Sequence, residues 1–234
     1  MKVTLLNSAN QQLITKDDFF DSEHLAKQAA AICVDKLDSP SDKGFEKAIK
    51  SGHYSILEHL PLTFLIEDVS RALTHQLVRH RICSFSQMSQ RYAKVKTRGE
   101  KWFITPRSIA THRIEGNYTL DRKYQNLMVH IAELYNEMHE AGIPNEDARM
   151  ILPNACSTSI MVSMNARSFS EAATLRTCNR AQWEIRQMFK LMRDSIKDVY
   201  PHVWEKCFPN CTKKCGCLEA KPCGSPYEKF SSNK

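Results

Sequence analysis

The sequence predicts a mixed α/β (α+β) domain in which several long helices pack on a small sheet. Three observations predict it. Runs with strand preference stand far apart, at residues 2–7, 62–67 and 158–164. Between them lie an Ala-rich helical segment at 23–35 and, at 120–141, apolar residues spaced for one helical face. The chain has 234 residues, 42% hydrophobic and 25% charged, as in an ordinary globular protein, with no apolar run near the roughly 18 residues that cross a bilayer.

Each element has a local reason. Residues 2–7 form the first strand; Asn, Gln and Asp follow too soon for a signal peptide, so the chain reads as cytoplasmic. After the 23–35 helix, Ser39-Pro40-Ser41-Asp42 is turn chemistry, and Ser41 or Asp42 caps a short helix through Ile49 that Gly52 ends. Ser70 caps a helix from Arg71 towards Arg79. In the long helix, Leu120, Tyr124, Leu127, Ile131, Leu134 and Met138 fall on or near one face, and Gly142 and Pro144 stop it. A shorter helix covers Glu146 to Leu152, Asn165-Ala166-Arg167-Ser168 opens another, and residues 180–199 make the last. From Cys207 onward Pro, Gly, Lys and Cys show no periodicity, so the chain divides into a domain over 1–206 and an appended tail over 207–234.

The formal net charge is +7, concentrated in the segment 79–91 and in the Lys-rich tail. Polymeric nucleic acid is one reading of that charge, but no long basic helix or repeated aromatic–basic pattern supports it. Nine cysteines, scattered through the first 200 residues and crowded at the end, fit a reducing compartment better than a disulfide scaffold. The tail spacing C-x3-C-x3-C-x-C-x5-C is not the paired C-x2-C of common zinc sites, so no metal ligand is assigned; zinc, thiol regulation and disorder stay open there.

The densest chemistry lies between Arg79 and Tyr92, where three guanidiniums, an imidazole and three serine hydroxyls are interleaved with Ile82, Cys83, Phe85 and Met88. The apolar residues predict partial burial, and buried guanidiniums need partners. A planar guanidinium matches phosphate in a bidentate way, so the expected guest is a phosphorylated small molecule. A nucleophilic serine, or a Cys83 or Cys178 thiolate acting as nucleophile, is another reading.

These residues carry a resemblance. Arg79-His80-Arg81 followed by Ser84, Ser89, Arg91 and Tyr92 resembles the signature of the flavin-dependent thymidylate synthases. Gly52-His53-Tyr54-Ser55-Ile56-Leu57-Glu58-His59, the segment around Arg149, and Asn165 to Glu184 are similar to further blocks of that family, in family order. The resemblance implies long helices on a small, mostly antiparallel sheet and a homotetramer with shared sites. It implies methylation of dUMP to dTMP, with methylenetetrahydrofolate as carbon donor, FAD as hydride carrier and NADPH as reductant. Gln76, Arg79, Gln87, Ser89, Arg91, Arg149 and Arg176 are then the dUMP ligands. Ser55, Glu58, Arg79, His80, Arg81, Ser86, Gln87, Asn165, Arg167, Glu171 and Arg180 are the FAD ligands. Arg176 and His53 take the catalytic roles, Arg176 against the pyrimidine and His53 near the flavin face. The chain departs from the family pattern at Ser86-Gln87, where Asn-Glu is common, and at Glu171 and Arg180, where Asn and His are common. Those departures leave a hydroxymethylating relative as an alternative.

Overall fold

The computed structural model describes residues 1–7, 23–97, 102–112, 120–213 and 216–225. Strands β1 (Lys2–Asn7), β2 (Pro61–Ser70), β3 (Ser84–Gln87) and β4 (Ser157–Asn165) form one four-stranded sheet in the order β1-β2-β4-β3. At the end of β2, Arg71 N donates to Cys156 O and Ala72 N to Asn154 O, so the partner number falls as the residue number rises and the pairing is antiparallel.

Strand β2 alternates with Leu62, Phe64 and Ile66 buried, the period-2 pattern of a strand with one covered face. The alternation then slips. Asp68 takes φ +56°, a left-handed conformation uncommon outside glycine, and the buried residues after it are Val69 and Ser70. Ser70 Oγ then accepts from Leu73 N at 3.0 Å and starts helix α3 (Arg71–Leu77), as the sequence predicts, although the helix stops two residues short of Arg79. Helices α1 (His24–Ile32) and α2 (Asp42–Lys50) precede β2; Ser41 Oγ accepts from Gly44 N, and Gly52 at φ +82° closes the turn beyond α2. A 3₁₀ turn over Tyr54–His59, not expected from the sequence, buries Ile56 and Leu57.

The described chain divides into two compact units. One holds Met1–Lys2, Glu67–Gln76 and Ser86–Ile160; the other holds Val3–Ile66, Leu77–Phe85 and Met161–Lys234. In the first unit, short α4 (Arg107–Ala110) precedes α5 (Leu120–Glu140), which packs Met128, Ala132 and Tyr135 against Val95, Trp102, Phe103, Ala148 and Cys156. The Tyr135 hydroxyl accepts from Val95 N at 3.1 Å, so the buried ring keeps its polar end satisfied. The inward face is offset from the expected one. Tyr124, Ile131 and Met138 are partly buried, whereas Leu120, Leu127 and Leu134, seven residues apart, are exposed. Helix α6 (Asn145–Ala148) continues as a 3₁₀ turn through Ile151 instead of reaching Leu152 as one helix.

The second unit is built on α7 (Ala166–Arg176) and α8 (Trp183–Ser195), whose Phe169 and Phe189 stack at 6.2 Å with Phe64 beside Phe169. Asn165 Oδ1 caps α7 by accepting from Ser168 N at 2.9 Å. The Gln182 side chain accepts from Glu184 N and Ile185 N, which is why α8 begins at Trp183 and not at 180. After α9 (Pro201–Trp204) the chain does not leave the core at once: Cys207 and Phe208 are buried, and the Arg193 guanidinium lies 4.5 Å from the Phe208 ring centre. The first residues of the expected appendage are thus part of the core. Among the described residues no helix is long and apolar enough to cross a membrane.

Candidate active site

The first unit holds Gln76, Gln87, Ser89, Arg91 and Arg149, five of the seven expected nucleotide ligands. Ser89 Oγ accepts from Arg91 N at 3.2 Å and Tyr92 N at 3.4 Å, folding the segment back on itself. Arg91 Nε donates to Glu146 Oε2 at 2.9 Å, and Arg149 Nε donates to the Glu146 carbonyl at 3.2 Å. One acid at the start of α6 thereby spaces two guanidiniums. Gln87 Nε2 donates to Thr74 Oγ1 at 3.0 Å and, at 3.5 Å, to Thr158 Oγ1. Where the family pattern has a carboxylate, this chain has an amide whose nitrogen is occupied by hydroxyls. Gln76 Nε2 turns back on its own helix, to Ala72 O at 3.5 Å, and Ser86 is exposed on β3.

Sequence reasoning missed a third guanidinium in this unit. Arg71, the first residue of α3, places Nη2 3.4 Å from the Met88 carbonyl, while its Nε is buried without a partner. Burial, and then the charge of Arg149, holds this guanidinium below its ordinary value. The bare dipeptide Ser70-Arg71 carries no signal beyond a helix cap.

The second unit holds the other expected residues. Arg176, at the last turn of α7, donates from Nε to His80 Nε2 at 3.1 Å, and His80 packs edge-on against Phe189. A guanidinium has no lone pair to accept with, so His80 Nε2 is the unprotonated nitrogen. Burial, and then the positive charge of Arg176, pushes the His80 imidazole below its ordinary value; burial alone lowers Arg176. Arg167 is held differently: Nη1 donates to Glu58 at 2.7 Å and Nε to Glu171 at 3.1 Å. Those two carboxylates, Glu171 first, raise it. Glu171 therefore pairs with Arg167 and not with Arg180, and Arg176 pairs with neither Glu171 nor Glu184.

Arg79 and Arg81 are exposed, and so are Ile82 (73%) and Tyr92 (82%). Cys83 and Phe85 are half-buried while Ile82 and Met88 are exposed, so the expected partial burial holds for part of the run and not for Arg79 and Arg81. His53 and Ser55 line a cleft of about 570 Å³ beside α1 and α2, whose walls carry Lys27, Lys36, Lys43 and Lys47 and no carboxylate. Arg180 lines another cavity, of about 270 Å³, with Cys178, Cys211, Cys217 and Cys223. Among the described residues no group of three ligating side chains is placed to hold a metal ion; Cys215 lies outside the described residues. Burial raises the Cys83 thiol, which runs against a thiolate role for it.

Comparison with known proteins decides the family. The model of the thymidylate synthase complementing protein family matches residues 13–202. The chain belongs to the flavin-dependent thymidylate synthases. A flavin-dependent thymidylate synthase of Geobacter sulfurreducens is 39% identical over 201 residues, 82% of this chain and 84% of the relative. One from Sulfolobus acidocaldarius is 44% identical over 166 residues, 70% of this chain and 60% of the relative, so the chain spans less than two thirds of that protein. The fold of this family member is similar to that of the thymidylate synthase X of Helicobacter pylori solved with FAD and dUMP, at a TM-score of 0.66, 24% identity, and coverage of 88% of this chain and 98% of the other.

Proposed function

We propose that this chain methylates dUMP to dTMP in the manner of its family. The first unit supplies the hold on the nucleotide, through Ser89, Arg91 and Arg149 with the amides of Gln76 and Gln87. A phosphate dianion takes charge-assisted bonds from guanidiniums more strongly than neutral ones. Arg79 and Arg176, and most of the expected flavin residues, belong to the second unit.

The observation that carries the reading is the Arg176–His80 bond. Nε is committed to His80, so the planar fork of Nη1 and Nη2 is fixed in direction and left for a ligand. Among the described residues no carboxylate is within ion-pair distance of that fork; the structure that fits it is a uracil edge, where a carbonyl and a ring nitrogen gain negative charge during substitution. Charge placed in advance where charge develops is commonly worth 10²–10³-fold in rate.

The flavin fits the second unit on the chemistry of its residues. Lys36, Lys43 and Lys47 line the cleft that holds His53 and Ser55, with Lys27 beside them paired to Asp42, and the start of α7 adds the helix dipole for a pyrophosphate. His80, Arg81, Asn165 and Arg180 are the remaining expected flavin residues of this unit, Arg167 stands beside Asn165 braced by Glu58 and Glu171, and Ser86 and Gln87 belong to the first unit. Bound FAD, reduced by NADPH, supplies the hydride, and methylenetetrahydrofolate the carbon. Assembly as a homotetramer with shared sites is supported by the exposed leucines of α5 and by exposed Ile82 and Tyr92, apolar groups that a monomer leaves in water. A cytoplasmic location is part of the same reading.

The test is the product. Purified protein given FAD, dUMP, methylenetetrahydrofolate and NADPH should form dTMP by mass, run as four chains by light scattering, and lose turnover in Arg176→Ala. A hydroxymethylated nucleotide gives the alternative outcome, and a flavin-indifferent protein that retards DNA or RNA ends the enzyme reading.

A further inference from the structure

We propose that Arg71 is a phosphate-binding residue, taking the phosphate of dUMP between its own guanidinium and that of Arg149. The proposal rests on the reading of the chain as an enzyme of dUMP.

Backbone geometry sets the position of Arg71. The left-handed residue Asp68 shifts the phase of β2, and Ser70 then caps α3, so Arg71 leaves the sheet at the first position of the helix. Its own N–H is fixed to the Cys156 carbonyl at 3.0 Å. Its side chain reaches the Met88 carbonyl, one residue before Ser89 and three before Arg91.

What surrounds the guanidinium is incomplete. Nε is buried and unpartnered, and the contact to Met88 is long at 3.4 Å. Among the described residues no carboxylate lies within ion-pair distance of Arg71. The neighbouring Cys156 thiol is itself held neutral by burial and accepts from Gln90 Nε2 at 3.5 Å, so it offers no compensating charge. The charge of Arg149, of like sign, acts on it. A half-buried cation with an unsatisfied N–H and a cation for a neighbour is costly alone. A dianion between the two guanidiniums removes both costs: it accepts from Nε and neutralises the pair. The donor set is specific to a phosphate-like ligand, because a neutral base satisfies the hydrogen bond without the charge.

The experiment is calorimetric titration of the FAD-loaded protein with dUMP, with deoxyuridine and with inorganic phosphate. Wild type should bind dUMP and, weakly, phosphate in competition with it. Arg71→Gln should weaken dUMP about tenfold to a hundredfold, leave deoxyuridine unchanged and flatten the salt dependence of dUMP binding. Equal dUMP affinity, or equal losses for dUMP and deoxyuridine, overturns the assignment. Should Arg71→Gln fail to fold, Arg71→Lys serves: a loss confined to dUMP supports the fork geometry, and no loss contradicts it. A wild type that ignores dUMP but binds phosphate through Arg71 breaks the enzyme reading and keeps the anion site; a wild type that binds neither overturns both.

Discussion

Arg167 and Arg71 show two ways of placing a guanidinium, one in each unit. Arg167 sits at the start of α7 with two carboxylates on it, its side chain 41% exposed. Arg71 sits at the start of α3, half-buried, with one long bond to a carbonyl and a cation for a neighbour. The first arrangement is complete as it stands and contributes to shape. The second is complete only when an anion arrives. The lesson is that counting arginines in a motif does not separate ligands from braces; the partners already present do. Arg176 belongs with Arg71 by this criterion, since its Nε partner is a neutral ring and not an acid.

The comparison can be pressed first at His80, where the larger effect is expected. Neutral His80 accepts from Arg176; protonated, it becomes a donor and a like charge. Its pKa is depressed in the folded chain, so the neutral form is favoured there and proton uptake opposes the fold. The associated stability is fully present above the ordinary imidazole value of about 6.5 and is lost as pH falls through the lower folded value. The pH profile of kcat should therefore show an acid limb below about pH 6.5. His80→Asn, which keeps an accepting oxygen and does not titrate, should remove that limb, whereas His80→Phe should lower kcat about tenfold or more at every pH. A limb that survives in His80→Asn assigns it to another group.

The smaller effect lies at Glu58. The Glu58–Arg167 pair is about half exposed on both sides, and Glu171 still holds Arg167 when Glu58 is gone. Glu58→Gln should cost less than about 1 kcal/mol in urea unfolding. A loss several times larger removes the distinction between a surface brace and a buried, waiting charge.

Much of this was legible in the residues, and the illegible part has a physical pattern. The caps Ser41, Ser70 and Asn165 and the stop at Gly52 were readable because a side-chain hydroxyl or amide, or a missing Cβ, acts within three residues. Strand β3 was not, since Ser-Phe-Ser-Gln has one apolar residue and gains its identity from pairing in the sheet. Helix α5 was found at the right place but with its buried face displaced, because periodicity gives a stripe of leucines without saying which stripe the chain itself covers. In the site, the Arg79–Tyr92 segment was legible as anion chemistry. Arg71 was not, because its significance comes from Met88, Cys156 and Arg149, distant in sequence. The pairing of Arg176 with His80 was hidden for the same reason, 96 residues apart.

The assignment of Arg149 to the nucleotide and not to the flavin is tested most directly by one titration: dUMP into Arg149→Ala protein loaded with FAD. The account predicts that the variant keeps its flavin spectrum and binds dUMP at least about tenfold more weakly than wild type. Unchanged dUMP affinity, or loss of the flavin together with the nucleotide, contradicts it.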